Sequence, residues 1–248
     1  QAGVLLLNEI GLDPGIDHMT AMQIIDQIKA DGGKLTSFKS FCGGLVHPDY
    51  DDNPWNYKFT WNPRNVVLAG QGTAQYIEGG EIKYIPYNKL FNRTENMSVL
   101  DSGEFEAYAN RDSLSYRKSY RIENISTLLR GTLRRSGYSK SWNYLLQLGL
   151  TDDTYVIENS EKLSYRSYLN MFLPGSDEMT LEEKFCKEFG IREDSEEFKK
   201  IKWLDIFSDK KVDLENATPA QVLQKILEEK WTLSAEDKDM IVMQHQFE

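Results

Sequence analysis

The first forty residues carry the pattern that most constrains the fold, because apolar runs and turn residues alternate there in a fixed order. Residues 4–9 form a short apolar run that predicts a strand, and the turn-forming residues 11–15 follow it. A helix with Asp17 as its N-terminal cap comes next and is predicted to end at Gly32 and Gly33. Residues 34–41 then have the pattern of a second strand. Strand, loop, helix and strand make a βαβ unit, so we predict an α/β fold.

The middle of the chain mixes loop and strand signals. Residues 43–65 are rich in Gly, Pro, Asn and Asp and carry aromatic residues, which predicts a long loop with aromatic anchors. Residues 66–74 have a helical pattern, and residues 75–86 predict a hairpin.

Beyond residue 127 the pattern becomes helical. Four amphipathic segments of helical length are separated by polar turns: residues 163–172, 181–189, 198–207 and 220–230. Thr180 followed by Glu183 fits a capping box, and Thr218 precedes a proline at the first helical position. We therefore predict three parts: an α/β domain with a mixed sheet and helices over residues 1–126, a C-terminal helical subdomain over 127–235, and a strand returning to the α/β domain over 236–248.

Composition narrows the class of protein. No apolar run approaches the roughly 20 residues of a membrane span, and the chain does not begin with the pattern of a signal peptide. The two cysteines, Cys42 and Cys186, lie far apart in the sequence, and neither has a cysteine or histidine at metal-ligand spacing. We expect a soluble, cytoplasmic protein with no disulfide framework, no metal site and no membrane partner.

The charge of the chain argues against one kind of partner and favours another. A formal net charge of -10 does not provide the basic surface on which nucleic-acid binding depends. Residues 111–140, however, contain eight Lys or Arg and two Asp or Glu. Because guanidinium groups bind carboxylates in bidentate fashion, the arginines of this segment are candidates for binding an anionic small molecule. Surface arginines are more often solvated or paired, and that interpretation stays open.

Asp13 is the first candidate for a functional site. It stands in a Pro/Gly turn between a predicted strand and a predicted helix, and ligands of open α/β sheets bind at the carboxyl ends of strands. An Asp in such a turn is also an ordinary turn residue.

Six blocks of sequence, taken in order, carry a resemblance to a known family. They are NEIGLDPGIDH at 8–18, FCGGL at 41–45, DNP to YKFTW within 52–61, NRDS at 110–113, LRGTLR at 129–134 and KDMIVMQH at 238–245. In this order they resemble the C-terminal, substrate-binding portion of the saccharopine reductases, the glutamate-forming saccharopine dehydrogenases that use NAD or NADP.

The resemblance implies an oxidoreductase of lysine metabolism through aminoadipate, which interconverts saccharopine with glutamate and 2-aminoadipate 6-semialdehyde. It implies that Asp13 is the catalytic acid/base and that Arg111, Arg130 and Arg134 bind substrate carboxylates. Thr132 and Leu133 would present backbone N–H groups to a carboxylate, and Phe41 and Trp61 would form walls of the pocket, although both aromatic residues fit a plain core equally well.

The resemblance also implies that the cofactor, NADP or NAD, is bound mainly by a Rossmann domain that is not contained in this sequence. The segment 70–74 is too short for a dinucleotide fingerprint, so no residue here is assigned to the cofactor. We expect this chain alone to be inactive, and a homodimer is possible. Two alternatives stay open: a related dehydrogenase of a carboxylated polyamine, and a non-catalytic interaction module that retains the fold.

Overall fold

The computed structural model describes residues 3–8, 10–176 and 178–248. Within this part of the chain, no helix is long and apolar enough to cross a membrane. The structure is a mixed α/β arrangement of one sheet and eight α-helices.

One mixed sheet organises the fold. Its seven strands are β1 Ser37–Val46, β2 Ala74–Glu78, β3 Glu81–Ile85, β4 Glu95–Ser98, β5 Glu104–Ala109, β6 Thr127–Arg134 and β7 Asp239–Phe247. The order β3-β2-β6-β1-β7 is joined by β5, which pairs with the later half of β6, and by β4, which pairs with β5. Strand β1 is parallel to β6 and antiparallel to β7, so β1 and β6 lie in the middle of the sheet.

The helices surround the sheet and form most of the C-terminal half. They are α1 Ile16–Ala30, α2 Pro63–Val67, α3 Tyr116–Ser119, α4 Tyr138–Gln147, α5 Tyr165–Asn170, α6 Leu181–Phe189, α7 Glu196–Trp203 and α8 Pro219–Trp231. The capping box predicted at Thr180 is present, and Thr218 forms a second one with Gln221. These caps satisfy backbone N–H groups that the first turn of each helix leaves free.

An aromatic cluster joins the long loop to the helical part. Trp55 and Tyr57 from the loop pack edge-on against Trp231 of α8, with ring centroids 5.2 and 5.1 Å apart. Tyr138 and Trp142 of α4 stack at 5.8 Å in the same cluster. All five side chains are buried, and the prediction that aromatic residues anchor this loop is confirmed.

The structure corrects the predicted first strand. Residues 4–8 form no strand, and Glu9 lies outside the described residues. The apolar side chains of this run are exposed, and no described strand pairs with them. An apolar run becomes a strand only where a neighbouring strand satisfies its backbone groups, which local pattern does not report.

Two further boundaries differ from the prediction. Strand β1 continues through Gly43 and Gly44 to Val46, where glycines suggested a loop. A Cβ on Gly43 would lie 2.8 Å from the backbone oxygen of Leu133, so glycine is needed for close packing within the sheet. Residues 127–134, expected to begin the helical subdomain, form strand β6, and regular helix starts again at α4. The division of the chain into domains stays a prediction.

The close approach of β6 to Phe41 can be tested with Gly131→Ala. A Cβ at Gly131 would lie 2.5 Å from the Phe41 ring and 3.0 Å from the Tyr108 backbone oxygen. Because the Phe41 ring is itself buried, the crowding should lower the free energy of unfolding by about 1–3 kcal/mol, measured by urea denaturation.

The control is Gly72→Ala, where the nearest atom to an added Cβ lies 3.8 Å away. Its backbone has φ -106, which alanine adopts freely, so the change should be neutral or slightly stabilising. Equal stabilities for the two variants would contradict the packing described.

Candidate functional site

A cleft of about 580 Å³ lies over one face of the sheet. Side chains alternate across a strand, so Arg130, Thr132 and Arg134 of β6 project to the same face, and all three line the cleft. The turn that carries Asp13, the loop that carries Trp61 and a separate loop after β5 that carries Arg111 contribute further walls. The structure thus brings together six of the eight side chains predicted for the site.

Asp13 and Asp17 share one guanidinium group at the edge of this cleft. The Arg130 Nη2 lies 2.5 Å from Asp13 Oδ1 and 2.6 Å from Asp17 Oδ2. Asp17 is 1% exposed, whereas Asp13 retains 22% exposure on the cleft side. Burial raises the pKa of the Asp13 carboxyl, and the attraction of Arg130 opposes this without cancelling it. Asp13 is therefore a carboxyl group suited to proton transfer.

Asp17 does not cap helix α1 as predicted. The helix begins at Ile16 with Gly15 as its N-cap, and Asp17 lies in the first turn. Its Oδ1 accepts a hydrogen bond from the Gly15 backbone N–H at 2.7 Å, while Oδ2 faces Arg130. The sequence pattern identified a residue that favours helix N-termini but not its second role as a counter-ion.

Arg134 is a buried cation with no acidic partner in the part of the chain that the structure describes. Its side chain is 3% exposed, Nη1 donates to the Leu133 backbone oxygen at 2.9 Å, and Nε has no hydrogen-bond partner. The guanidinium carbon lies 4.8 Å from the ring centroid of Tyr57 and 5.4 Å from that of Tyr138. Because a buried charge is costly unless it is paired, this arrangement suits an anion that enters the cleft.

Arg111 offers a second cation, in a different setting. It is exposed, and its backbone has φ 31, a region that non-glycine residues rarely adopt. The Arg111 backbone oxygen accepts a hydrogen bond from the Gln75 N–H at 2.7 Å, which fixes this strained turn at the sheet edge. Its side chain therefore lies at the cleft on a backbone that is held in place.

The chain is similar to proteins of a known family. The family model described as "Saccharopine dehydrogenase C-terminal domain" matches residues 11–248. The chain belongs to this family. The match spans both the turn with Asp13 and the strand with Arg130 and Arg134, so the cleft lies entirely within the family domain.

Curated relatives and a solved structure agree with the family assignment. The saccharopine dehydrogenase [NADP(+), L-glutamate-forming] of Pyricularia oryzae is 34% identical over 100% of this chain and 56% of its own length. The mitochondrial alpha-aminoadipic semialdehyde synthase of Rattus norvegicus is 36% identical over 99% of this chain and 27% of its length. The structure of apo saccharopine dehydrogenase (L-Glu forming) from Saccharomyces cerevisiae has a TM-score of 0.84 at 33% identity, over 99% of this chain and 56% of that one.

Two residues predicted for the site lie outside the cleft of this family member. Phe41 and Leu133 are buried in a core cluster on the other face of the sheet, because each stands one position away from a cleft-facing residue. In the described residues Phe41 therefore packs in the core, which was the alternative given for it, and does not line the cleft. The cleft contains no part of Leu133, whose contact with Arg134 is made by its backbone oxygen.

Other predicted residues line the cleft, although their roles stay predictions. Trp61 is 50% exposed at the cleft, and Thr132 lies opposite Cys42 and Tyr108 in the sheet. Burial raises the pKa of the Cys42 thiol to about 12, which leaves it a poor nucleophile. The described residues contain no group of three or more His, Cys, Asp or Glu positioned to hold a metal ion.

Sequence reasoning missed the residues that surround Arg134. Tyr57 was assigned to a loop anchor, and Tyr138 was not singled out, yet their rings flank the guanidinium. Tyr108, which lines the cleft, stands two positions before Asn110. Residues 105–109 of that strand are all buried, so the strand has no alternation that would have marked Tyr108.

The raised pKa of Asp13 predicts how Asp13→Asn changes stability with pH. Because the folded protein holds a proton on Asp13 more tightly than the unfolded chain does, ionisation of Asp13 costs folding free energy. Wild type and Asp13→Asn should have similar unfolding free energies near about pH 3, and the variant should become the more stable one as the pH rises above about 4.

Denaturation at several pH values measures this difference, with Asp26→Asn as the control. Asp26 is an exposed carboxylate on helix α1, and its substitution should give no comparable pH-dependent gain. A lower stability of Asp13→Asn at neutral pH would mean that the ion pair with Arg130 outweighs the cost of burial.

Proposed function

We propose that this chain is the substrate-binding part of an NADP-dependent oxidoreductase that interconverts saccharopine with glutamate and 2-aminoadipate 6-semialdehyde. The chain spans about half the length of the curated saccharopine dehydrogenases that it matches, so the activity belongs to a larger protein. A cytoplasmic location and a homodimer are further parts of the proposal.

The buried guanidinium of Arg134 is the observation that carries the proposal. Saccharopine has three carboxylates, and each needs hydrogen-bond donors of positive charge in a cleft that excludes much of the solvent. Arg134 faces the cleft with no acidic partner among the described residues, and Arg111 stands on the cleft wall. These two cations supply charge-assisted hydrogen bonds to two carboxylates of the substrate.

Asp13 supplies the proton transfer that the reaction requires. Hydride leaves a carbon next to the secondary amine only when that amine has lost its extra proton, and the resulting imine is then hydrolysed by water. A carboxyl group with a raised pKa at the cleft edge accepts the proton and assists the water. The cofactor, when bound, takes up the hydride.

The described residues do not fit the phosphates of a dinucleotide cofactor. A dinucleotide site places free N–H groups at a helix N-terminus after a glycine-rich turn. At the start of α1, the Ile16 and Asp17 N–H groups are instead bonded to the Gly11 and Leu12 backbone oxygens, each at 3.0 Å. Gly72, in the other glycine-rich segment, lies just before a strand rather than before a helix. We therefore propose that another domain of the whole protein binds NADP.

The charge around the cleft argues against a carboxylated polyamine as substrate. A polyamine needs free carboxylates, but Asp13 and Asp17 are both engaged by Arg130. Asp112, which also lines the cleft, accepts hydrogen bonds from the backbone N–H groups of Leu114 and Ser115. Among the described residues that line the cleft, the charges with no ion pair are those of Arg111 and Arg134, which favours a substrate rich in carboxylates.

The binding role of the arginines is tested by calorimetry with saccharopine and this chain. Arg111→Ala removes one charge-assisted contact, and Arg134→Lys replaces a two-pronged donor with a single ammonium while keeping the buried charge. Each should weaken the affinity by about tenfold or more, because a hydrogen bond to a charged group contributes about 1.5–3 kcal/mol.

Arg135→Ala is the matched control for this titration. Arg135 is adjacent in sequence but lies outside the cleft, where it stacks over Phe105 at 4.5 Å and donates to the Ser102 backbone oxygen. Equal affinities for wild type and all three variants would remove Arg111 and Arg134 from the substrate site.

The proposal that another domain binds NADP predicts that this chain alone does not turn over saccharopine. Mixed with saccharopine and NADP, it should produce no reduced nicotinamide, measured by absorbance, because the described residues form no dinucleotide site. Steady turnover by the isolated chain would show that it binds the cofactor by residues other than those considered above.

A further inference from the structure

The two carboxylates that share Arg130 are anchored unequally. Asp17 is fixed at both oxygens, since Oδ1 accepts from the Gly15 N–H at 2.7 Å and Oδ2 pairs with Arg130 at 2.6 Å. Asp13 is held at one oxygen, by Arg130 at 2.5 Å, and its carboxylate reaches the cleft. Of the two, Asp13 is the one that can release the guanidinium without leaving a buried charge unsolvated.

Arg130 is also fixed from other directions. Its guanidinium lies over the ring of Tyr116, with the carbon 4.1 Å from the ring centroid. His18 stacks on that ring at 5.2 Å, and His18 Nδ1 is 2.7 Å from the Tyr120 hydroxyl. The guanidinium therefore keeps its place when Asp13 changes its charge or its position.

We propose that Asp17 is a positioning residue for Asp13: by pairing with the same guanidinium, it weakens the hold of Arg130 on the Asp13 carboxylate and so leaves Asp13 available for proton transfer in the cleft. This role rests on the proposed function, because it explains how a carboxyl group beside an arginine still serves as an acid and base. Asp17 itself is buried and does not line the cleft.

The same arrangement accounts for the charge balance at this site. Were Asp13 the sole partner of Arg130, a close opposite charge would favour its ionised form strongly. Asp17 neutralises much of that attraction and adds a repulsion of its own, and burial acts in the same direction. Among the described residues, the charged and titratable groups that face the two carboxylates are Arg130, His18, Cys42, Tyr116, Tyr120 and His245.

The proposal is tested by the titration of the Asp13 carboxyl in this chain, followed by carbon NMR and assigned with Asp13→Asn. In Asp17→Asn the Asp13 pKa should fall, because Arg130 then pairs with Asp13 alone and a neighbouring negative charge is lost. Asp26→Asn, which removes one negative charge from the exposed side of the same helix, should leave the Asp13 titration where it is. The other facing groups are the same in all these proteins, so the comparison isolates Asp17. An Asp13 pKa that is unchanged or higher in folded Asp17→Asn would overturn the proposal.

A second measurement on the wild-type protein covers the case in which Asp17→Asn does not fold. The Gly15 amide proton reports on Asp17, because it donates to Asp17 Oδ1. As the pH falls through the Asp13 titration, the Gly15 amide should keep its chemical shift and its protection from exchange. Loss of that protection before Asp13 takes up its proton would show that Asp17 is not the fixed partner, and would also overturn the proposal.

Kinetics of a protein that joins this chain to its dinucleotide-binding domain separates this inference from the proposed function. If both hold, the acidic limb of the kcat/KM profile with saccharopine moves to lower pH in Asp17→Asn and stays in place in Asp26→Asn. A shifted Asp13 titration with no saccharopine turnover in any of the proteins supports the positioning role and contradicts the proposed function.

Discussion

Two guanidinium groups on strand β6 are almost fully buried, and the way each charge is compensated determines the character of the cleft. Arg130 is 6% exposed and is paired within the chain by Asp13 and Asp17. Arg134 is surrounded by tyrosine rings and a backbone oxygen, and the described residues give it no carboxylate. Arg130 thus stabilises the site by ion pairs within the chain, whereas Arg134 is a buried charge that a bound anion would neutralise. The two arginines lie four positions apart on the same face of β6, and this spacing gives their charges different surroundings.

The helical part of the chain shields Arg134, one of the residues that line the cleft, although the helices lie outside the sheet. Tyr138 opens helix α4 and Tyr57 belongs to the long loop, and both rings pack on Trp231 of α8 as well as on Arg134. The aromatic cluster therefore fixes two of the groups that shield the guanidinium. The same two tyrosines therefore take part in the packing of the helical region and in shielding the charge at the cleft.

The sequence pattern correctly predicted the elements that depend on contacts between residues close in sequence. It failed where the structure depends on residues distant in sequence. The hairpin of β2 and β3, the capping box at Thr180, the helix cap at Thr218 and the helix over 181–189 depend on contacts within a few residues, and all are present. Residues 4–8 have the apolar pattern of a strand but pair with no described strand. Gly43 suggested a loop, because the sequence pattern does not report the close approach of Leu133. At the site, residue type identified Asp13, Arg111 and Arg134 as charged candidates. The face on which Phe41 lies depends on the register of β1, and the engagement of Arg130 by Asp17 depends on the packing of α1 on the sheet.

The pairing of β1 with β7 has a consequence for the order of assembly. These strands match residues about two hundred positions apart, from Phe38 opposite Phe247 to Val46 opposite Asp239, and β7 also places Ile241 at the cleft. Contacts of such long sequence separation carry a large entropy of loop closure and form slowly. During synthesis, the helices between them emerge and can gain structure first, while one edge of β1 stays bare until β7 has left the ribosome. The cleft is thus a late product of folding, and until then the unpaired edge of β1 is the surface most open to mispairing.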